Sequence, residues 1–392
     1  MEHDSQSNLH DEPASSAATS LPSNHDPLPP VESPLTLQPA TPEPAFMQRV
    51  FIGSNGLRAG WSIALFMILF ALIEGAMGFL VSRLHLSSRS DHFTVRTAFI
   101  GELVSVVALI AAAWIVALIE RRSPMDFSLI GPGRVAKLFS GAAAGFLALS
   151  ILVGGLWSGG WLHFGPIALS GSSIAKYAVL WAITFLLVGF FEEGLFRCYL
   201  QFTLTRGINF WWALGLQAVI CASLVLRAKG SAAWGVYAIV LLGLLPCLIL
   251  HLKRNPHSGF WQSAWVTSTL FGFVHVGNNG ENWIGIFAAA TIGFVFCVSI
   301  WLTGSAWWAI GCHAGWDWAE TYFYGTADSG LVAQGHYLST SPFGNAFWSG
   351  GTDGPEGSIL VLGAILLLLV SLLVIYRPRQ AASAELVSEQ AG

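Results

Sequence analysis

The sequence predicts an all-α fold, a polytopic transmembrane helix bundle of about ten spans, and three observations carry that reading. Of 392 residues, 54% are hydrophobic and only 10% charged, whereas an average soluble chain is about 25% charged. Gly occurs 42 times and Trp 17 times; Gly is common where membrane helices touch, and Trp gathers at bilayer interfaces. The apolar residues also fall in long uninterrupted stretches, and mean hydropathy is +0.61. Such a chain is neither a secreted disulfide scaffold, nor a nucleic-acid binder with a basic face, nor an ordinary cytosolic enzyme.

Residues 1–48 stand apart. They carry seven acids (Glu2, Asp4, Asp11, Glu12, Asp26, Glu32, Glu43) and no Lys or Arg, with much Pro and Ser. Without a periodic apolar face they cannot bury enough surface to offset the entropy of ordering, which predicts a disordered acidic tail. The tail lacks the basic start and apolar stretch of a signal peptide. It is also the one obvious segment for a soluble partner, whose identity is unknown from sequence. Residues 49–380 form the membrane domain, and 381–392 a short C-terminal tail.

A span needs about 20 apolar residues. Ten stretches qualify: 60–84, 97–119, 136–157, 176–204, 209–227, 231–251, 260–276, 283–303, 305–324 and 358–377. The short loops place Arg49, Arg58, Arg121, Arg122, Arg134, Lys137, Arg206, Lys253, Arg254, Arg377 and Arg379 on one side, against Arg83, Arg89 and Arg96 on the other. Basic residues favour the cytoplasm, so both termini are expected there, in a bacterial inner membrane given the Ala, Gly and Trp usage. The Gly-rich segment 325–357 then lies outside. Its Phe343, Phe347 and Trp348 predict an ordered cap and not a linker. The five cysteines all lie in apolar stretches without a CxxC pair and read as small buried hydrophobes.

An ionisable group inside a span is a functional hypothesis by default. The fourth span carries three, Glu192, Glu193 and Arg197. Glu193 and Arg197, four residues apart, share a helical face and should pair. Glu192 points about 100° away from Glu193 and has no partner on its own helix, which suits a general base. His275 follows Phe271 by four residues, and Asp317 follows His313 by four. A lone membrane His is as often a hydrogen-bonding packing residue as a functional one. Three such pairs in order, each within a span, are harder to explain as packing.

This ordered set, Glu192-Glu193-x-x-x-Arg197, Phe271-x-x-x-His275 and His313-x-x-x-Asp317, resembles that of the CAAX protease and bacteriocin-processing (CPBP or Abi) family, which includes the type II CAAX prenyl endopeptidases. The resemblance covers about residues 176–324. It implies an eight-helix protease-like core, here extended by an extra hydrophobic pair within 209–251, and an intramembrane endopeptidase. By the resemblance Glu192 is the base on a water that His275 helps to hold, and His313 stabilises the oxyanion with support from Asp317. Glu193, Arg197 and Phe271 are structural support. Where the prenyl proteases have Asn this chain has Asp317, and an ionised Asp cannot donate to an oxyanion; it could instead orient His313. No cofactor is implied, although Glu192, His275 and His313 would also suit zinc, which makes a zinc metalloprotease the runner-up. Membrane lipid and a peptide or lipidated peptide are the implied partners, and nucleic acid is not.

Rival readings are a transporter, with Glu74 and Glu102 in a proton or ion relay, and a non-catalytic immunity protein on the same fold. For Glu74 and Glu102 interhelical hydrogen bonding is the plainer account. One tension stands within the protease reading. Counted along the spans, Glu192 falls near mid-membrane, His313 in the inner half and His275 near the outer end, whereas one site requires a common depth.

Overall fold

The computed structural model describes residues 46–53, 56–86, 93–227, 233–278, 280–328 and 330–376. Most of the acidic tail and all of residues 381–392 lie outside them. The architecture is a helix bundle, as expected, and each of the ten apolar stretches is helical over most of its described residues. In order come α1 (Phe46–Phe51), α2 (Ala59–Arg83), α3 (Val95–Ile119), α4 (Arg134–Ser158), α5 (Ser172–Glu193), α6 (Phe202–Thr205), α7 (Phe210–Arg227), α8 (Ala233–Leu252), α9 (Ser258–His275), α10 (Trp283–Thr303), α11 (Trp307–Asp317), α12 (Ala346–Ser349) and α13 (Val361–Ile375). Two π-helical segments, Gly194–Gln201 and Trp318–Tyr324, continue α5 and α11.

Six helices are long and apolar enough to cross a bilayer by length and composition: α2, α3, α4, α7, α10 and the continuous helix Ser172–Thr205. That last one, 34 residues long, is far longer than the ~20 residues a span requires. α11, with 11 residues, is too short for this standard, and α9 is diluted by Gln262, Ser and Thr residues as well as His275. Large apolar side chains such as Ile68, Leu72, Leu147 and Leu226 point outward from their helices. Outward apolar surface of this extent is what hydrocarbon, not water, would cover.

Two buried clusters organise the core. One joins α4, α10, α11 and α13 through Leu149, Leu156, Phe296, Trp308 and Leu368. The other joins α2, α3, α9, α11 and the first π segment through Phe66, Leu109, Tyr199, Phe271 and Ile310. The closest helix pair is α4 with α11, and its sequence explains why. A Cβ at Gly141 or Gly145 would overlap the backbone of Trp308 or Cys312, and one at Gly311 or Gly315 would overlap that of Leu138 or Ala142. Small residues four apart on both helices let the backbones touch, the usual device where apolar burial cannot drive association. His313 sits between two of these glycines, so α4 sets its position.

The extra pair α7–α8 packs on α9. Gln217, fully buried, donates to Gly243 O at 2.9 Å and Thr269 Oγ1 at 2.9 Å, which ties the three helices together. At one end of the bundle Glu120 accepts from Ser62 Oγ at 2.6 Å and pairs with Arg122 and Arg206 at 2.7 and 2.9 Å.

At the opposite end the described residues of 325–357 are ordered, as the aromatic content predicts. Strand β4 (Thr340–Pro342) pairs antiparallel with β3 (Leu162–Phe164), and a second short hairpin, β1 (Ile52–Gly53) with β2 (Gly56–Leu57), precedes α2. Trp161 stacks on Trp348 at 5.0 Å. Asn282 caps α10 by accepting from Ile284 N at 2.8 Å and donates to Gly357 O at 3.2 Å. The cap is thereby fastened to the ends of α4 and α10.

Candidate active site

His313 is the hub. Its Nδ1 lies 2.9 Å from Glu193 Oε1, while its Nε2 lies 3.7 Å from Glu192 Oε2 and 3.6 Å from Asp317 Oδ2. Two consecutive residues thus reach one imidazole ring from its two nitrogens. The 100° between Glu192 and Glu193 separates them on their helix but lets them straddle a ring presented by α11. Glu192 Oε2 has no hydrogen-bond partner, and the Glu192 side chain is 27% exposed whereas that of Glu193 is sealed at 0%.

Glu193 and Arg197 form the expected ion pair, Oε2 to Nε at 3.2 Å with both side chains wholly buried. The pair does more than hold the helix in register, because the other Glu193 oxygen fixes His313. It is Glu193 that contacts Nδ1 of His313, and Asp317 stands beside Glu192 at the opposite nitrogen. The guanidinium of Arg197 lies 4.1 Å from the Phe271 ring centroid and 5.6 and 5.7 Å from those of Phe196 and Phe296. This aromatic cage supplies cation–π attraction where hydrogen-bond partners for Nη1 and Nη2 are lacking. Gly293 makes room for it, since a Cβ there would overlap Arg197 Nη2.

Phe271 also connects the histidines. Its carbonyl is 2.7 Å from His275 Nδ1, so that nitrogen carries the proton and Nε2 is left as acceptor. Its ring meets that of His275 at 4.6 Å and that of His313 at 6.2 Å, both edge-on. His275, His313 and Asp317 line one cavity of about 60 Å³, walled on the other side by Ile292, Val361, Ile365 and Leu368. A space of this size holds a few waters.

The expected mismatch of depths is therefore resolved. Counting along each span assumes that every helix is centred on the bilayer. Here α9 ends at His275, and α11 has only 11 residues before its π segment, so the helices are staggered and the histidines share a cavity. Of the three motif-bearing helices, the two that carry acids, α5 and α11, turn π-helical immediately after them, at Gly194 and Trp318. Such insertions are frequent at functional sites.

Sequence reasoning gives Glu102 a role only in the rival relay or as an interhelical hydrogen-bonding group, yet its carboxylate on α3 lies near enough to Glu192 and His313 to interact with their charges. Glu74, by contrast, accepts from Ser105 Oγ at 3.0 Å, the interhelical hydrogen bond expected of it. The cavity's far wall carries two more acids, Glu281 and Glu356. Glu281 lies outside the spans, where burial and the charges of Asp353 and Glu356 push its carboxyl up to about 9. Burial raises Asp353 to about 7, against a hydrogen bond from Asn282 N that lowers it.

Zinc at Glu192, His275 and His313 does not fit this arrangement. Among the described residues the one trio of ligating side chains whose donor atoms lie within 4.8 Å of one another is Glu320, Asp328 and Glu356.

Fold and site together define a polytopic helical membrane protein with an acid–histidine centre buried among its helices. The family model described as type II CAAX prenyl endopeptidase Rce1-like matches residues 174–258 and 247–319, the stretch that carries all three motifs. Over that stretch, less than half of the chain, it is similar to this endopeptidase family. No curated protein and no solved structure matches the chain.

Proposed function

We infer that the protein is an intramembrane endopeptidase of the glutamate type, which hydrolyses a peptide bond with a water activated by Glu192. The observation that carries this reading is the division of labour around His313. A buried, charge-paired Glu193 holds Nδ1, and a half-exposed Glu192 with an unpartnered oxygen faces Nε2. Glu192 takes the proton of the attacking water, and His275, whose Nε2 is an acceptor, helps to hold that water. As the carbonyl oxygen gains charge, His313, acting as the imidazolium with Nδ1–H held by Glu193, donates to it from Nε2, with Asp317 in support. The proton held by Glu192 then passes to the leaving amine. No metal or organic cofactor takes part.

The apolar wall of the cavity beside this polar face suits a membrane-embedded or lipidated peptide. Both termini are placed in the cytoplasm by the basic loops, and the membrane is read as a bacterial inner membrane from composition.

Cleavage of a panel of quenched fluorescent peptides, prenylated and unprenylated, by detergent-purified protein tests this. Glu192→Gln should lower kcat by about 10²–10⁴-fold without loss of folding, and a chelator selective for zinc over Ca²⁺ should change nothing. Activity that survives in Glu192→Gln removes the base assignment, and activity lost on chelation replaces the mechanism with a metal-dependent one.

A further inference from the structure

The end of the bundle covered by residues 325–357 holds acids in excess. Glu320 on the second π segment, Asp328 in the loop that follows and Glu356 on the turn before α13 offer oxygens within 4.8 Å of one another. Asp353 and Glu281 lie close enough to the same region to act on its carboxylates. No Lys or Arg is recorded in an ion pair with any of the five among the described residues. Three carboxylates at such spacing repel strongly away from bulk water.

A second observation concerns what their oxygens lack. Glu320 is 0% exposed; its Oε2 accepts from Trp316 Nε1 at 3.0 Å, and its Oε1 has no partner. The same indole N–H serves Glu356 Oε1 at 2.8 Å. One neutral donor is thus shared between two carboxylates, and a buried oxygen in their midst remains bare. Asp353, also 0% exposed, has an unpartnered Oδ1. Buried acceptors left unmatched are costly.

We propose that Glu320, Asp328 and Glu356 bind a hard divalent cation, of which Ca²⁺ is the best fit, and that this cation fastens the cap to the helix carrying His313 and Asp317. The donor set is all oxygen and all carboxylate, the chemistry of Ca²⁺ and Mg²⁺ rather than of zinc or copper. Irregular segments supply two of the three ligands, and Ca²⁺ tolerates such variable geometry better than Mg²⁺ does. The supporting groups are already in place. Thr321 Oγ1 donates to Asp328 Oδ2 at 2.7 Å, and Gly330 N donates to Asp353 O at 3.2 Å, which orients the loop around the site. Its ligands are none of the proposed catalytic residues, although Glu356 also lines their cavity, and its existence does not depend on the protease reading.

The test uses the full chain in detergent, stripped with a chelator and then titrated with Tb³⁺ under tryptophan excitation, since Trp316 contacts two of the proposed ligands. Wild type should give sensitised Tb³⁺ emission that Ca²⁺ displaces, and Ca²⁺ should raise its melting temperature. Asp328→Asn and Glu356→Gln should each weaken the Ca²⁺ midpoint at least about tenfold. Because each substitution relieves repulsion, the variants should melt no lower than wild type without Ca²⁺. The acidic tail is common to all three proteins and cancels in the comparison. Should a variant fail to fold, the Ca²⁺ response of wild type still decides. A wild-type melting temperature indifferent to Ca²⁺, or Tb³⁺ emission equal in wild type and both variants, overturns the proposal.

Discussion

Glu193 and His313, 120 residues apart in sequence, meet at 2.9 Å through Oε1 and Nδ1, with no solvent on the glutamate side. The contact converts an ion pair within one helix into a relay from Arg197 through Glu193 to the imidazole. It also fixes which nitrogen faces Glu192. An imidazole anchored in this way cannot present the wrong nitrogen to substrate, and such anchoring is how second partners of active-site histidines act.

Glu193→Gln should accordingly reduce kcat while KM stays nearly constant, because Gln can still accept from His313 Nδ1–H but carries no charge. Glu193→Ala should lose more, both in rate and in stability, since it removes the acceptor for His313 as well as the anion that Arg197 loses in either variant. Removing one partner of a buried pair costs about 3–5 kcal/mol. Steady-state kinetics combined with thermal melting separates the two effects. Equal loss of kcat in both variants, with unchanged melting, would argue that His313 is not positioned through Glu193.

The motif residues were legible from the sequence, because charges four apart within apolar runs stand out against the background. So were the ten helices, since long apolar stretches have few other solutions. Two relationships were not legible. That Glu192 and Glu193 serve one ring depends on where α11 lies, and α11 is placed by its glycines against α4, a contact between helices far apart in sequence. The acidic cluster is equally hidden: Glu281, Glu320, Asp328, Asp353 and Glu356 lie at segment ends and in loops, where single acids are ordinary. Glu102 reads as a lone intramembrane acid until α3 is seen beside the site.

The seam between α4 and α11 gives a sharp test of how His313 is placed. Gly145→Val or Gly311→Val should abolish activity and destabilise the fold, since each added side chain meets backbone that cannot yield. Gly154→Ala, where a Cβ meets open space, is the control on the same helix and should melt like wild type. Overpacking of this kind costs about 1–3 kcal/mol or more. Comparable melting of Gly145→Val and Gly154→Ala would mean that the helices do not approach as described.

Asp317→Asn should retain cleavage within about tenfold of wild type, or exceed it, because the amide can donate to an oxyanion where the carboxylate cannot. Asp317→Leu, of similar bulk but without polarity, should lose most of its kcat. The pair of kcat/KM values distinguishes support of the oxyanion from a requirement for negative charge beside His313. If Asn is as damaging as Leu, the charge itself is needed.

Glu281 predicts a pH dependence of stability whose sign follows from the direction of its shift. Its carboxyl is raised to about 9 in the folded protein from an ordinary value of 4.5. Below 4.5 both folded and unfolded chains hold the proton, and the residue makes no difference. Between 4.5 and about 9 the unfolded chain releases the proton while the folded chain keeps it, so stability falls as pH rises through this window. Above about 9 both forms are ionised and the loss is complete. Glu281→Gln keeps an acceptor for Asn278 Nδ2, which lies 3.4 Å away, but removes the titration. In the presence of a chelator, the variant and wild type should melt together at pH 4 and diverge progressively towards pH 9, with the variant higher. Each kcal/mol regained corresponds to roughly 2–4 °C for a domain of 150–250 residues, and somewhat less in this longer chain. A constant difference across the range would point to packing, and a variant that melts lower at pH 9 would place the charge of Glu281 beside an opposite charge instead of among acids.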